Sequence, residues 1–187
     1  MQALIVVDAQ NEFSPQGRRP VPNHAQALKT IQRRVAEARS EARPIAWVRH
    51  YNRPHEYPAF APGSWGAEFS PGLGPLSGRE EEAEFVKDVF GAFTGTDIGS
   101  WLGARGVEEV LVVGFFVHMC VSTTAREALM RGLQVAVDPA GTGGFPIRHE
   151  LLGEQSAAEV HRTALLQLSH LGVTIAVSEA QHSWSAE

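Results

Sequence analysis

The chain has 187 residues, 43% of them hydrophobic and 20% charged, with a formal net charge of −5 at pH 7. Such a chain is long enough to bury a core of its own, and one domain spanning residues 1–187 is expected. An acidic surface does not attract nucleic acid or an anionic membrane, and no apolar run approaches the ~20 residues that span a bilayer, so neither partner is expected.

The N-terminal stretch MQALIVVDAQ lacks a basic region, and its apolar run stops at Asp8, so it reads as a first strand and not as a signal peptide. Cys120 is the only cysteine, which rules out an internal disulfide and fits a reducing, cytoplasmic location. Ala3 to Val7 has the length and branching of a strand buried on both faces, and Asp8 falls at its carboxyl end. Ser14 to Pro22 is a loop. Asn23 is placed to cap a helix reaching about Arg43, with Ala27, Ile31, Val35 and Ala38 on its inner face. A short strand follows from Ile45 to Val48, ending near Arg49 and His50.

Tyr51 to Ser77 is long for a connection in a compact domain, which marks it as a binding loop or as an insertion covering a site. Its aromatics (Tyr51, Tyr57, Phe60, Trp65, Phe69) could wall a pocket or an interface. His50 and His55 have no third ligand at diagnostic spacing, so no metal is expected. Glu80, Glu81, Glu82 and Glu84 read as a solvated acidic surface. Glu84 to Lys87 forms a strand with Lys87 at its end, and Thr96 or Asp97 caps a short helix through Ala104.

The stretch from Glu109 to Val113 is another doubly buried strand, ended by Gly114, and a helix runs from Ala125 to Arg131. Cys120 lies between them, near a helix N-terminus, where the dipole favours the thiolate. Leu133 to Val137 is a strand ending in Asp138. Gly141-Thr142-Gly143-Gly144 lacks the pattern of a P-loop or a dinucleotide fingerprint and reads as a plain loop. Ser156 opens a helix through His170, Val173 to Val177 is the last strand, and Ser178 to Glu187 is a loosely held polar tail.

Strand–helix units from end to end predict a parallel sheet covered by helices on both faces. Ligands in such sheets bind outside the carboxyl ends of the strands. Asp8, Lys87 and Cys120 all fall on that edge.

With these residues in place the chain resembles the isochorismatase-like family of cysteine hydrolases. Three blocks carry the resemblance: Val6-Val7-Asp8-Ala9-Gln10-Asn11-Glu12-Phe13, then Lys87 to Thr96 (KDVFGAFTGT), then Gly114 to Ala125 (GFFVHMCVSTTA). The resemblance implies a three-layer α/β/α fold with a six-stranded parallel sheet of Rossmann-like topology. It also implies a catalytic triad of Asp8, Lys87 and Cys120, a non-proline cis peptide between Phe115 and Phe116, and a homo-oligomer. Nicotinamidase-type members carry an Asp-x-His metal motif; the matching Val48-Arg49-His50 lacks the aspartate. His118 is similar to the Ala-His pair of isochorismatases proper, although those can work without the cysteine that this chain keeps. Gly63 to Glu68 is similar to loops in members acting on ureido and carbamoyl compounds.

The expected chemistry is hydrolysis of a C–N bond in a small amide, ureido or carbamoyl compound through a thioester on Cys120, without a cofactor. Asp8 takes the thiol proton and Lys87 holds both charges. The backbone N–H groups of Phe116 and Cys120 serve as the oxyanion hole, the former because a cis bond would turn it inward. Phe13, Phe93 and Phe116 lie near the triad in sequence and Trp65 on the long loop, so these four are expected to wall the substrate pocket, with His118 reading a polar group. Two other classes stay open. One is isochorismatase-type hydrolysis of a vinyl ether with Asp8 as acid; the other is a non-catalytic binding member.

Overall fold

A computed structural model describes residues 1–176. Strands β1 (Gln2–Val7), β2 (Ile45–His50), β3 (Glu82–Lys87), β4 (Glu109–Phe115), β5 (Gln134–Gly143) and β8 (Thr174–Ile175) form one six-stranded sheet. Every pairing in it is parallel, in the order β3-β2-β1-β4-β5-β8. The chain therefore walks outward from β1 to β3, then returns to the middle and walks the other way. The reversal falls between β1 and β4, and in such sheets ligands bind at that point, outside the carboxyl ends of the strands.

Alternation within each strand supplies two cores. Ala3, Ile5 and Val7 of β1 join Val110 and Val112 of β4 on one face, beneath α2 (Ile98–Gly103), α3 (Ser122–Met130) and Leu168 of α4 (Ala157–His170). Leu4 and Val6 point the other way and pack with Leu111 and Val113 under α1 (His24–Ser40), whose Ala27, Ile31, Val35 and Ala38 are the inner face expected from their spacing. α4 starts with a capping box in which Ser156 Oγ accepts from Glu159 N–H and Glu159 answers the Ser156 backbone.

Several sequence expectations are corrected. α1 ends at Ser40, short of Arg43, because Arg43 precedes a proline and Ala42 takes a left-handed turn at φ 50°. Asn23 does not cap the helix with its side chain; its Nδ2 donates to Thr142 O at 3.0 Å and ties the helix start to β5. Glu82 is not solvated: its carboxylate accepts from Arg39 Nε at 2.8 Å and from Trp47 Nε1 at 2.9 Å. The Gly141–Gly143 stretch is strand, not loop. β5 breaks its register opposite Val112/Gly114 and then resumes, pairing Thr142 with Gly114 and Gly143 with Phe115. Proline and glycine mark a bulge here and not an end. A small antiparallel hairpin of β6 (Ile147–His149) and β7 (Gly153–Gln155) lies outside the main sheet and was not expected. The last strand begins at Thr174; Val177 and the tail lie outside the described residues.

Gly114 does not end β4, which continues to Phe115. It sits at φ 124°, and a Cβ there would stand 1.9 Å from the Val7 carbonyl oxygen. Only glycine lets β4 lie this close to the end of β1, and that approach brings the segment carrying Cys120 beside the segment carrying Asp8. Gly114→Ala should therefore lower unfolding free energy by roughly 2–6 kcal/mol, combining an overpacked contact with a strained backbone. Urea denaturation measures it, and a change within ordinary surface-substitution scatter would contradict the role given to Gly114.

Candidate functional site

Asp8, Lys87 and Cys120 leave three different strands and meet. Asp8 follows β1 directly and adopts a left-handed backbone at φ 51°, which stops the strand and which short polar side chains tolerate best. Lys87 is the last residue of β3. Cys120 is reached through Phe116, whose peptide bond to Phe115 is cis, and through a single wide π turn over Val117–Val121 that runs on into α3. In that turn the Phe116 carbonyl accepts from Met119 N–H and Val121 N–H, both at 3.1 Å, and not from Cys120 N–H. Such turns recur where a helix is locally rebuilt to present a side chain.

Lys87 Nζ donates to Asp8 Oδ2 at 2.7 Å, to Val89 O at 3.1 Å and toward Cys120 Sγ at 3.4 Å, and it lies 3.2 Å from His50 Nδ1. The Lys87 and Asp8 side chains are 0% and 1% exposed, and Cys120 is 7% exposed. Burial pulls the Lys87 pKa down, but the Asp8 carboxylate and then Cys120 raise it above the ordinary lysine value. For the thiol, burial comes first and the Asp8 charge second; together they outweigh Lys87 and push it up to about 12. The expectation of an easily ionised thiol is thus corrected. The resting site holds a neutral thiol beside a buried ion pair. Asp8 Oδ1 is buried and without a hydrogen-bond partner among the described residues.

His50 is built into this cluster. Its Nε2 lies 2.9 Å from Asn52 Oδ1, and Asn52 Nδ2 in turn donates to Tyr57 O at 2.7 Å. Burial, then the Lys87 charge, lowers the His50 pKa, so the ring is neutral. Both ring nitrogens are occupied by protein groups, which leaves neither for a metal. Among the described residues no three His, Cys, Asp or Glu side chains gather as metal ligands.

Sequence reasoning passed over the polar residues after Asp8. Gln10 is completely buried; its Nε2 donates to His50 O at 3.0 Å and Ala67 O at 2.8 Å, and its Oε1 accepts from His50 N–H at 2.9 Å. Asn11 Nδ2 donates to Trp65 O at 3.0 Å, and Asn11 N–H to Glu68 O at 2.9 Å. Glu12 lies against Gly66, where a Cβ would stand 2.1 Å from Glu12 Oε2. These bonds pin the 51–77 connection over the end of β1. The available signal was a run of uncharged and acidic polar residues continuing directly from a buried strand.

The expected pocket walls divide. Phe13 and Phe116 meet edge to face, centroids 4.7 Å apart; Phe60 stands 5.1 Å from Phe13, and Phe145, unforeseen, 4.6 Å from Phe116. His118 closes this group at 5.6 Å from Phe116 and 5.0 Å from Phe145. Both of its ring nitrogens are buried without a partner among the described residues, and burial lowers its pKa. Phe93 does not join them. It lies in the core cluster of the opposite sheet face, the cluster that also holds Cys120, with the Arg131 guanidinium 4.8 Å from its ring centroid. Trp65 is 55% exposed, on the outside of the pinned loop.

Residues 2–180 match the Isochorismatase domain. The chain belongs to the isochorismatase family. It is 29% identical to the isochorismatase family protein YddQ of Bacillus subtilis (strain 168), over 95% of this chain and 97% of that one. Identity is 32% to the nicotinamidase/pyrazinamidase of Mycobacterium tuberculosis (strain ATCC 25618 / H37Rv), over 90% and 98%. Among solved structures, an isochorismatase from Pseudomonas putida KT2440 superposes with a TM-score of 0.85 at 28% identity, covering 94% of this chain and 87% of that one. Isochorismatase-family proteins are hydrolases, and this one has the six-stranded α/β fold of its neighbours.

A thiol pushed to about 12 has a thiolate fraction that grows about tenfold per pH unit across roughly pH 6–10. Iodoacetamide alkylation of Cys120 in the free protein should follow that slope without a plateau. Asp8→Asn, which suits the left-handed backbone, removes the anion opposing ionisation and should speed alkylation at fixed pH. A wild-type plateau near neutrality, or slower alkylation of Asp8→Asn, would contradict these electrostatics.

Proposed function

We propose that this isochorismatase-family protein hydrolyses a C–N bond of a small, neutral amide, ureido or carbamoyl compound, with Cys120 as nucleophile. One observation carries the reading: a single buried ammonium contacts both a carboxylate with a free oxygen and the only thiol. Asp8 Oδ1 takes the thiol proton as substrate enters, and Lys87 holds the resulting thiolate. Sulfur attacks the carbonyl carbon, and the developing oxyanion is received by the N–H groups of Phe116 and Cys120. Protonated Asp8 passes its proton to the leaving nitrogen, the C–N bond breaks, and ammonia or an amine departs. Asp8 then deprotonates a water molecule, whose oxygen attacks the thioester; the tetrahedral adduct expels the thiolate, which regains the proton from Asp8. Atoms and charges balance without a cofactor.

We favour a neutral substrate because Lys87 is already paired and because the turn that carries Cys120 also carries the neutral His118 ring, which packs with Phe116 and Phe145, next to Phe13 and Phe60. An anionic vinyl ether would find no free cation in that group, whereas an apolar or aromatic amide fits, with His118 as donor or acceptor to one polar atom. The amidase name of the Mycobacterium tuberculosis relative points the same way.

An ammonia-release screen over small amides, ureas and carbamoyl compounds should give a substrate among neutral compounds and none among peptides. On that substrate a folded Cys120→Ala protein should be inactive, and His118→Ala should raise KM more than it lowers kcat. Full turnover by Cys120→Ala would sink the proposal, and an unchanged KM in His118→Ala would remove His118 from the substrate.

A further inference from the structure

Lys87 carries three N–H bonds and faces four acceptors: Asp8 Oδ2, Val89 O, His50 Nδ1 and Cys120 Sγ. The carboxylate and the backbone carbonyl are the two strongest fixed acceptors. The third N–H must choose between His50, 3.2 Å away, and the sulfur, 3.4 Å away. Whether His50 can accept depends on its tautomer, and the neighbours decide that. Asn52 Nδ2 donates to Tyr57 O, so Asn52 Oδ1 faces His50 Nε2 as an acceptor. His50 Nε2 must then carry the ring proton, and Nδ1 presents a lone pair to the ammonium. The ring is buried, its edge set against Phe60 with centroids 5.4 Å apart, and its backbone is held on both sides by Gln10. The charged groups acting on it are Lys87, Asp8, Glu56 and Asp88.

We propose that His50 is a positioning residue that holds the third Lys87 N–H while the Cys120 thiol is neutral and yields it to the sulfur when the thiolate forms. This rests on the reading of Cys120 as a nucleophile paired with Lys87. No covalent bond changes in the exchange: the ammonium keeps its protons, and only the acceptor of one hydrogen bond switches. A neutral thiol is a weak acceptor and loses to an imidazole nitrogen, whereas a thiolate is a strong, charged acceptor and wins. His50 thereby favours the neutral thiol at rest, and it keeps the ammonium aimed at the place where negative charge will appear.

The test is Cys120 alkylation by iodoacetamide, read by intact mass at fixed pH below the thiol titration, in His50→Leu and His50→Gln proteins. Leucine offers no acceptor, so the third N–H turns to sulfur and alkylation should run about tenfold faster than wild type, corresponding to a pKa about one unit lower. Glutamine offers an amide oxygen and should restore the wild-type rate. Equal acceleration in both variants would mean loosened packing and would overturn the proposal, as would an unchanged rate in His50→Leu. Should His50→Leu fail to fold, His50→Phe, which also offers no acceptor and nearly keeps the ring's size, carries the test: faster alkylation than in His50→Gln supports the proposal, and a rate equal to wild type overturns it. No substrate is used, so failure to find an amide substrate would count against the proposed function and leave this measurement standing.

Discussion

The buried contact between Lys87 and Asp8 is the constraint on which the remainder of the site depends. Two opposite charges, 2.7 Å apart and cut off from water, are tolerable only as a pair. Removing either partner would strand the other charge at a cost of about 3–5 kcal/mol, so the ends of β1 and β3 are held in register by electrostatics as well as by the sheet between them. Cys120 arrives at this pair from β4, across the reversal in strand order. The close backbone approach at Gly114 keeps that arrival fixed.

On the proposed mechanism, the same pair explains how a thiol with a high pKa would serve as a nucleophile. A permanently ionised sulfur would react with any passing electrophile, and a permanently neutral one would not react at all. Here the proposed base, Asp8, has one oxygen without a partner among the described residues, and the cation that would stabilise the thiolate is already in contact with the sulfur. Proton transfer from Cys120 to Asp8 converts one buried ion pair, Lys87–Asp8, into another, Lys87–Cys120. The net charge of the cluster does not change, so the transfer avoids the large cost of creating isolated charge in a low-dielectric interior. The 51–77 connection is pinned by Gln10, Asn11 and Arg49: Arg49 Nη1 donates to Ala67 O at 3.0 Å, and its guanidinium lies 4.2 Å from the Phe69 ring centroid.

Much of this was legible in the sequence. Continuous branched runs such as Leu4–Val7 and Val110–Val113 announce strands buried on both faces, and a parallel sheet fixes the edge on which their terminal residues lie. Asp8, Lys87 and Cys120 were expected near that edge, and the family resemblance implied that the three act together. Three kinds of information were not legible. Proline and glycine in 139–144 read as a stop because a bulge that lets β5 rejoin Gly114 depends on pairing with another strand. Phe93 was expected beside Phe13 and Phe116 but packs apart from them, in the core cluster that holds Cys120, since an irregular stretch has no period to assign its side. The thiol was expected to ionise easily from its place near a helix start; burial and Asp8, both brought to it by folding, outweigh that dipole. His50 likewise carries no local mark of its contact with a lysine on the neighbouring strand.

The central claim is that a covalent acyl group passes through Cys120. Acid-quenching the protein during turnover of an amide that releases ammonia in a burst, followed by peptide mass analysis, tests it most directly. The account predicts that the mass of the acyl fragment appears on the peptide containing Cys120, in an amount matching the burst. A burst with no modification of Cys120, or with the acyl group on another side chain, would contradict it.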